Sequence, residues 1–439
     1  MDLARLIYDA GVVGAGGAGF PTHRKLLPDA GLLVVNAAEC EPLLASDRYL
    51  MRHCAEQIVA GIVAVVDEFA IGRVVIGTKR HYVAEIAALR AAISAAGADI
   101  EIGAVDSFYP AGDEQVLIYE LTGQTVPPGK VPIALGIVVI NVTTAYQIHR
   151  ATLGEPMLRR AVTVNGAVRA PRLVDAPVGT TPADLIAAAG GASCERHAFI
   201  KGGPMMGPCF AADAAGSFGY GKADSGLVVL PAEHPLVAFA GKPLEHVLGQ
   251  TSACIQCRLC TDMCPRYLIG HQMRPHLVMR VAQTRTHVAD LADALLCCEC
   301  GICELYACPM GLSPRRVNVW AKGVLREAGV TAGDPNIYPE QTADHPMRKI
   351  PQSRLIERWR LDPYPTELDE VVSIAPSRVL IPTKHGVGRP ADPIVAVGDR
   401  VSAGQVIATV DQSAIGALVH ASIDGRVSAV DATQITIER

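Results

Sequence analysis

Eight of the thirteen cysteines fall into two runs. Cys254, Cys257, Cys260 and Cys264 follow the spacing C-x2-C-x2-C-x3-C, with Pro265 directly behind. Cys297, Cys300, Cys303 and Cys308 repeat the rhythm and end in Pro309. Thiolates so spaced hold [4Fe–4S] clusters: a tight loop wraps three sulfurs around one face of the cube, and a fourth arrives from elsewhere. In two-cluster ferredoxins the last cysteine of each run crosses to the other cluster. The crossed sets here would be Cys254, Cys257 and Cys260 with Cys308, and Cys297, Cys300 and Cys303 with Cys264. Four residues separate Cys303 from Cys308 where three are usual, which leaves the crossing open. Cys298 breaks the two-residue gap and is excluded. The competing chemistry is a pair of structural zinc sites, but those use two C-x2-C pairs set apart by a longer loop. Clusters move electrons singly, so the spacing points to an electron carrier or reductase.

A second constellation lies in the first 150 residues. Gly14, Gly16, Gly17 and Gly19 sit in the segment GAGGAGFPT, where successive backbone amides can cradle a phosphate. The segment does not satisfy the dinucleotide fingerprint, which follows a strand and opens a helix. Here the preceding Leu3–Ala10 reads as a helix. Leu32–Val35, Val74–Gly77, Ile100–Val105 and Ile137–Asn141 read as strands, with helices from Asp47, over Val83–Ala96 and from Asp113. That alternation implies a largely parallel sheet, which binds ligands beyond the carboxyl ends of its strands. Three segments follow strands there: NAAECEP from Asn36, YPAGDE from Tyr109 and NVTT from Asn141. Their amides, hydroxyls and carboxylates can bind ribose, ribityl and isoalloxazine groups, and Lys25 can meet a phosphate. Taken singly, Glu39, Glu41, Asp113 and Glu114 read as ordinary solvated loop carboxylates.

Further along, 161–168 reads as a hairpin turning at Asn165-Gly166, and Thr181 caps a helix from Ala183. His271 and His276 read as residues of a helix behind the first cysteine run, packed or solvated and not ligands. Residues 332–363, rich in proline and charge, read as an extended connector. From Ser373 short β runs alternate with glycine turns. Cys40, Cys54, Cys194 and Cys209 lack ligand spacing and read as inert thiols. At 439 residues the chain should hold three or four domains, and half its residues are apolar. A net charge of −5 gives no sign of a nucleic-acid partner. The longest apolar stretch, 131–142, is too short to span a bilayer, and the start lacks a secretory pattern, so direct membrane insertion is not expected. Cysteine usage fits a reducing cytosol.

The quartet GAGGAGFPT, NAAECEP, YPAGDE and NVTT resembles the NADH-oxidising flavoprotein of respiratory complex I. It is closer still to the C subunit of Rnf complexes and to the PduS-type cobalamin reductases of propanediol-utilising microcompartments. The resemblance implies a multidomain α/β chain: a Rossmann-like FMN/NADH domain over 1–155, a β-grasp (SLBB) domain over 156–240 and a bacterial-type two-[4Fe–4S] ferredoxin domain over 241–330. A linker over 331–372 and a C-terminal barrel-sandwich hybrid over 373–439 would follow. It assigns Gly14, Gly16, Gly17, Gly19 and Lys25 to the flavin phosphate and nucleotide. Asn36, Asn141 and Thr144 would contact FMN, with Glu39, Glu41, Gly112, Asp113 and Glu114 around the flavin and NADH. Ala15 stands where the complex I flavoprotein has an arginine, and Ala38 where it has an aspartate. The β-grasp unit reads as a packing spacer. Lipoyl-type carriers need a lysine at the hairpin tip, but the tip here is Ala421-Ser422-Ile423-Asp424, so a swinging arm is not expected. A C-terminal barrel sandwich is the PduS order; in the Rnf family it stands at the N-terminus.

The implied reaction runs from NADH through FMN and two [4Fe–4S] clusters to a corrinoid, with no catalytic acid or base from the protein. Implied partners are cobalamin, a cobalamin adenosyltransferase or another acceptor protein, and microcompartment shell proteins. The implied location is the cytoplasm, inside a bacterial microcompartment. The alternatives are an electron-entry protein of the Rnf type and a scaffold whose clusters are only structural.

Overall fold

The computed structural model describes residues 2–26, 30–284, 287–332 and 340–439. The first layer is a parallel sheet of β1 (Leu32–Ala37), β2 (Arg73–Lys79) and β3 (Glu101–Val105). After the short β4 (Phe108–Tyr109), β5 (Ile137–Asn141) completes it in the order β3-β2-β1-β5. β1 and β5 are nearly continuous apolar runs because helices cover both faces. On one face, helices Ala55–Phe69 and Val142–Thr152 bury Ile58, Ile62 and Ile148 with Leu33, Val35 and Ile140. On the other, helix Glu114–Thr122 buries Val116 and Leu117 with Val34 and Val139. Successive strand side chains point to opposite faces, so one strand serves both layers. Among the described residues no single helix is long and apolar enough to cross a membrane.

The second sheet holds β6 (Arg159–Gly166), β7 (Arg172–Pro177), β8 (His197–Lys201), β9 (Cys209–Ala211) and β10 (Gly226–Pro231). Downstream come β11 (Ile350–Pro351), which pairs with β4, and β12 (Val371–Ser373), which joins the second sheet in the order β12-β7-β6-β10-β8-β9. Thr181 caps helix Pro182–Ala188 by accepting the Asp184 N–H, as expected. The Asn165-Gly166 turn does not form. Both residues lie inside β6, and the chain reverses beyond them. Asn165 Nδ2 donates to the Leu43 and Pro365 carbonyls at 3.0 and 2.8 Å, and Gly166 lies so close to β10 that a Cβ would strike the Val229 carbonyl. Tertiary partners outweigh the turn preference of the pair.

The cysteine-bearing region is built of short helices against two longer ones, Pro275–Thr284 and Pro314–Glu327. These meet through Val278, Met279, Val317 and Leu325. The connector expected over 332–363 is not simply extended. Residues 333–339 lie outside the described residues. Beyond them β11 pairs antiparallel with β4, and helix Gln352–Arg358 buries Leu355. Trp359 Nε1 and Arg358 Nε both donate to the Leu305 carbonyl, at 2.8 and 2.9 Å. The apolar residues Ile350, Leu355, Trp359 and Leu361, spaced among prolines and charges, turn the stretch into a packed strap. The C-terminal unit is a sandwich of two small sheets. One runs β13 (Arg378–Pro382), β19 (Gln434–Glu438), β18 (Gly425–Val430), β15 (Arg400–Val401), and the other β14 (Asp392–Pro393), β16 (Val406–Thr409), β17 (Val419–His420).

The strap yields a direct test. Leu355 is 0 % exposed, so Leu355→Ala should cost about 2–5 kcal/mol through lost burial and the cavity left behind. A lowered thermal midpoint is the expected reading. An unchanged midpoint would mean that the strap does not hold the strand-end face to the cysteine region.

Candidate functional site: a strand-end cleft joined to two thiol clusters

The sheet order places the switch point between β1 and β5: the chain steps from β1 out to β2 and β3, then returns to add β5 on the other side of β1. Asn36, one residue before the end of β1, pairs in register with Asn141, the last residue of β5. Asn36 Nδ2 donates to the Gly112 carbonyl at 2.9 Å, which draws the YPAGDE loop to the same edge. Asn141 Oδ1 caps helix Val142–Thr152 through the Thr143 N–H at 2.8 Å, and its Nδ2 donates to Asp47 Oδ2 at 2.7 Å. The glycine segment folds over this point. The Ala15 N–H donates to Thr144 Oγ1 at 2.9 Å, so Thr144 is buried beneath the loop. Gly16, Gly17 and Ala18 form an exposed crest, and Gly17, at φ +108°, has open space where a Cβ would stand. An exposed crest of free amides over a switch point fits a flavin mononucleotide held by its phosphate and polar ribityl chain.

Other assigned residues are engaged within the chain. Lys25 Nζ pairs with Glu114 Oε1 at 2.6 Å, so a phosphate would meet an ion pair there and not a lone ammonium. Asp113 caps helix Glu114–Thr122 and binds Arg266 Nη2 at 2.9 Å. Glu41 Oε2 accepts the Met205 N–H at 2.9 Å, and Tyr109 Oη lies 3.5 Å from its other oxygen. Burial pushes Glu41 up to about 8. Burial, and then the charge of Asp47, push Glu39 up to about 7, while its Oε1 accepts the Glu41 N–H at 2.8 Å. Three contributors escape sequence reasoning. Asp47 holds Asn141 and, at 2.7 Å, Thr143 Oγ1. Arg160 reaches from β6 to the Ala15 carbonyl at 3.0 Å. Tyr109 joins the cleft to the cysteines. The signal for Arg160 was its charge at a buried position of β6, RRAVTVNG.

The thiols form two adjoining groups. Burial, with Cys254, Cys308 and Cys257 around it, pushes Cys260 up to about 12, and these four line one hollow. Cys264 lies beside Cys297, and Cys300 and Cys303 both lie beside Cys264. These neighbours are the ones the crossed sets need, while Cys303 also lies near Cys260 and Cys264 also lies near Cys298. Cys298, excluded by its spacing, sits against Cys300 and Arg266. Each run makes the same bend: Gln256 and Arg258 have φ of 54° and 71°, and Glu299 and Gly301 have 62° and 83°. Left-handed backbone costs a non-glycine residue about 1 kcal/mol or more, and here it turns three sulfurs inward. Amide donors face the sulfurs. Glu299 N–H reaches Cys297 Sγ at 3.3 Å, Leu312 N–H reaches Cys308 Sγ at 3.4 Å, and Gln256 Nε2 reaches Cys254 Sγ at 3.2 Å. Such donors stabilise thiolates around an electron-rich core. His271 precedes the helix it was expected to occupy and is buried; burial, with the charge of Arg266, lowers it to about 4. His276 Nδ1 lies 2.6 Å from Thr261 Oγ1.

Two buried contacts tie the second group to the cleft: Tyr109 Oη donates to the Cys300 carbonyl at 2.7 Å, and Arg266 meets Asp113. Four known domain families match along the chain. The FMN-binding domain of Nuo51 matches residues 7–150, the SLBB domain 161–208, a 4Fe–4S dicluster domain 253–313 and the RnfC barrel sandwich hybrid domain 366–439. Cobalamin reductase PduS of Salmonella typhimurium is 40 % identical over 445 residues, covering 100 % of this chain and 96 % of that protein. Cobalamin reductase PduS of Citrobacter freundii is 40 % identical, with 98 % and 95 % covered. The chain belongs to the PduS family. It is an oxidoreductase with a flavin domain and a two-cluster domain. The C subunit of the Na(+)-translocating ferredoxin:NAD(+) oxidoreductase complex of Acetobacterium woodii is 34 % identical over 61 % of this chain and 58 % of its own length.

The grouping of thiols is open to chemical test. Cys257→Ser and Cys308→Ser should each lose the same cluster, about four of eight irons, while Cys264→Ser loses the other. Iron analysis and the electron paramagnetic resonance (EPR) spectrum of reduced protein read the result; Cys308→Ser and Cys264→Ser erasing one common signal would break the crossed grouping. A second expectation concerns pH. In the unfolded chain Glu41 ionises near its ordinary 4.5, but in the fold it keeps its proton up to about 8. The unfolded state therefore binds fewer protons across that window, and this group's contribution to stability falls as pH rises from about 4.5 to 8. Glu41→Gln should flatten that decline in thermal midpoint; an equally steep decline in the variant would remove Glu41 as its source.

Proposed function

We propose that the chain is an NADH-dependent cobalamin reductase that supports adenosylcobalamin recycling. The kinship that spans the chain end to end supports a corrinoid acceptor. The observation that carries the electron path is the buried joint between the strand-end cleft and the second cysteine group, Tyr109 on Cys300. When bound, FMN takes a hydride from NADH and the two clusters carry its electrons singly. The chain's residues do the placing. The crest at Gly16–Ala18 and the paired Asn36 and Asn141 hold the flavin end, and Glu39 lies beside it. Cys264, Cys297, Cys300 and Cys303 form the entry side of the relay. Cys254, Cys257, Cys260 and Cys308 form the exit, because Cys257 is exposed and ringed by exposed Ile255 and Met310. One NADH supplies two electrons, which matches the two steps from cob(III)alamin to cob(I)alamin. Placement in a propanediol-utilising microcompartment beside an adenosyltransferase extends the same reading.

Partial kinship with Rnf-type proteins favours a second reading, electron entry into a ferredoxin-linked complex. Anaerobic protein given NADH and hydroxocobalamin should produce the cob(II)alamin absorbance. Under the same conditions, reduction of ferredoxin and viologen but never of the corrinoid would overturn the cobalamin reading and favour the second.

A further inference from the structure

Arg266 stands two residues beyond Cys264, in the short helix Pro265–Leu268. Its side chain is buried, with the residue 9 % exposed. One edge of the guanidinium is bound, Nη2 donating to Asp113 Oδ2 at 2.9 Å. The Nε–H is buried too, yet among the described residues it has no hydrogen-bond partner. The guanidinium lies against Cys298, which itself sits against Cys300, and Cys264 is in the same group. The Cys298 thiol is hydrogen-bonded to the guanidinium, but a thiol is a weak acceptor, so the buried Nε–H is left poorly satisfied and can serve a stronger acceptor. The thiols around it supply the chemistry of that acceptor: an electron-rich sulfur.

We propose that Arg266 donates its Nε–H to a sulfur of the cluster held by Cys264, Cys297, Cys300 and Cys303, and that Arg266 and Asp113 together set that cluster's reduction potential. The proposal rests on the reading that these four thiols hold a cluster. Reduction adds one negative charge to the cluster. A cation and a hydrogen-bond donor beside it stabilise the reduced state and raise the potential. Asp113 opposes that effect with its own charge. It also accepts the N–H groups of Gln115 and Val116, each at 3.1 Å, at the loop that Asn36 draws to the flavin edge. One carboxylate therefore touches both the loop at the electron donor and the cation at the electron acceptor.

Two charges of opposite sign acting on one cluster should shift it in opposite directions, which a purely structural ion pair would not do. The test is an EPR-monitored redox titration of the full-length, anaerobically purified protein. The Cys257→Ser background identifies which signal belongs to which cluster. Arg266→Gln should lower the midpoint of the entry-side cluster, Asp113→Asn should raise it, and Arg266→Lys should fall between wild type and Arg266→Gln. The other cluster's midpoint should hold. Unmoved midpoints in Arg266→Gln and Asp113→Asn with iron intact would overturn the proposal and leave the reductase reading standing. Equal movement of both clusters would also overturn it. Should Arg266→Gln lose iron, the rise or constancy in Asp113→Asn decides. Wild-type protein without iron would overturn both readings.

Discussion

Everything that this molecule can do with electrons depends on how firmly the second cysteine loop is held against the carboxyl ends of the parallel sheet. Electron transfer is steep in distance, so the two sites must be fixed by buried contacts and not by a tether. The contacts chosen are polar. A tyrosine hydroxyl on a carbonyl and a guanidinium on a carboxylate both carry directional demands that a greasy interface lacks. Breaking either leaves a buried group unsatisfied, which penalises sliding of one unit over the other. Around them Leu43, Ile200, Met205, Ile302 and Leu355 exclude water. Apolar packing supplies the adhesion, and the polar pair supplies the register.

The same logic extends through the C-terminal half. Lys222 is buried and donates to the Gly11 carbonyl at 2.7 Å and the Leu418 carbonyl at 2.8 Å, which joins the end of the first helix to the barrel sandwich. Burial lowers its ammonium to about 7. Gly19 and Gly386 lie in direct backbone contact, so the glycine segment is braced from the side opposite the sheet. The loop that would cradle a phosphate is thus held at both flanks while its crest stays open. A loop this rich in glycine would otherwise sample many conformations, and bracing removes that entropy before a ligand arrives.

Much of this could be read from residue order. The parallel strands showed as apolar runs bounded by turns, and helix Val83–Ala96 has the bounds that its alanine-rich pattern suggested. The cysteine spacing named its chemistry because few donor sets share it. What escaped is what depends on partners distant in sequence. Asn165-Gly166 has turn chemistry, but β10 and two carbonyls from other segments claim it. The strap looked solvated because its apolar residues are sparse and obey no single period. Lys25 and Glu114 are far apart in the chain, and nothing local says that they neutralise each other. Glu41 reads as a loop carboxylate until the Met205 amide and the Tyr109 hydroxyl close around it. Of the candidate site, then, the segments were legible, but the engagements of individual side chains were not.

The barrel sandwich shows how a familiar shape can lose one role and take another. A carrier arm must leave its domain, so its hairpin tip has to be exposed and free. Here Ala421, Ser422 and Ile423 of the tip are buried and Asp424 is exposed, and Ser422 Oγ donates to the Val178 carbonyl at 2.6 Å across the boundary with the second sheet. A lysine at that position would have to bury its ammonium or break the interface. The absence of lysine and the presence of the contact therefore have one cause. The module is a brace between the β-grasp sheet and the glycine segment, and its placement after the strap lets the chain wrap the cleft from both ends.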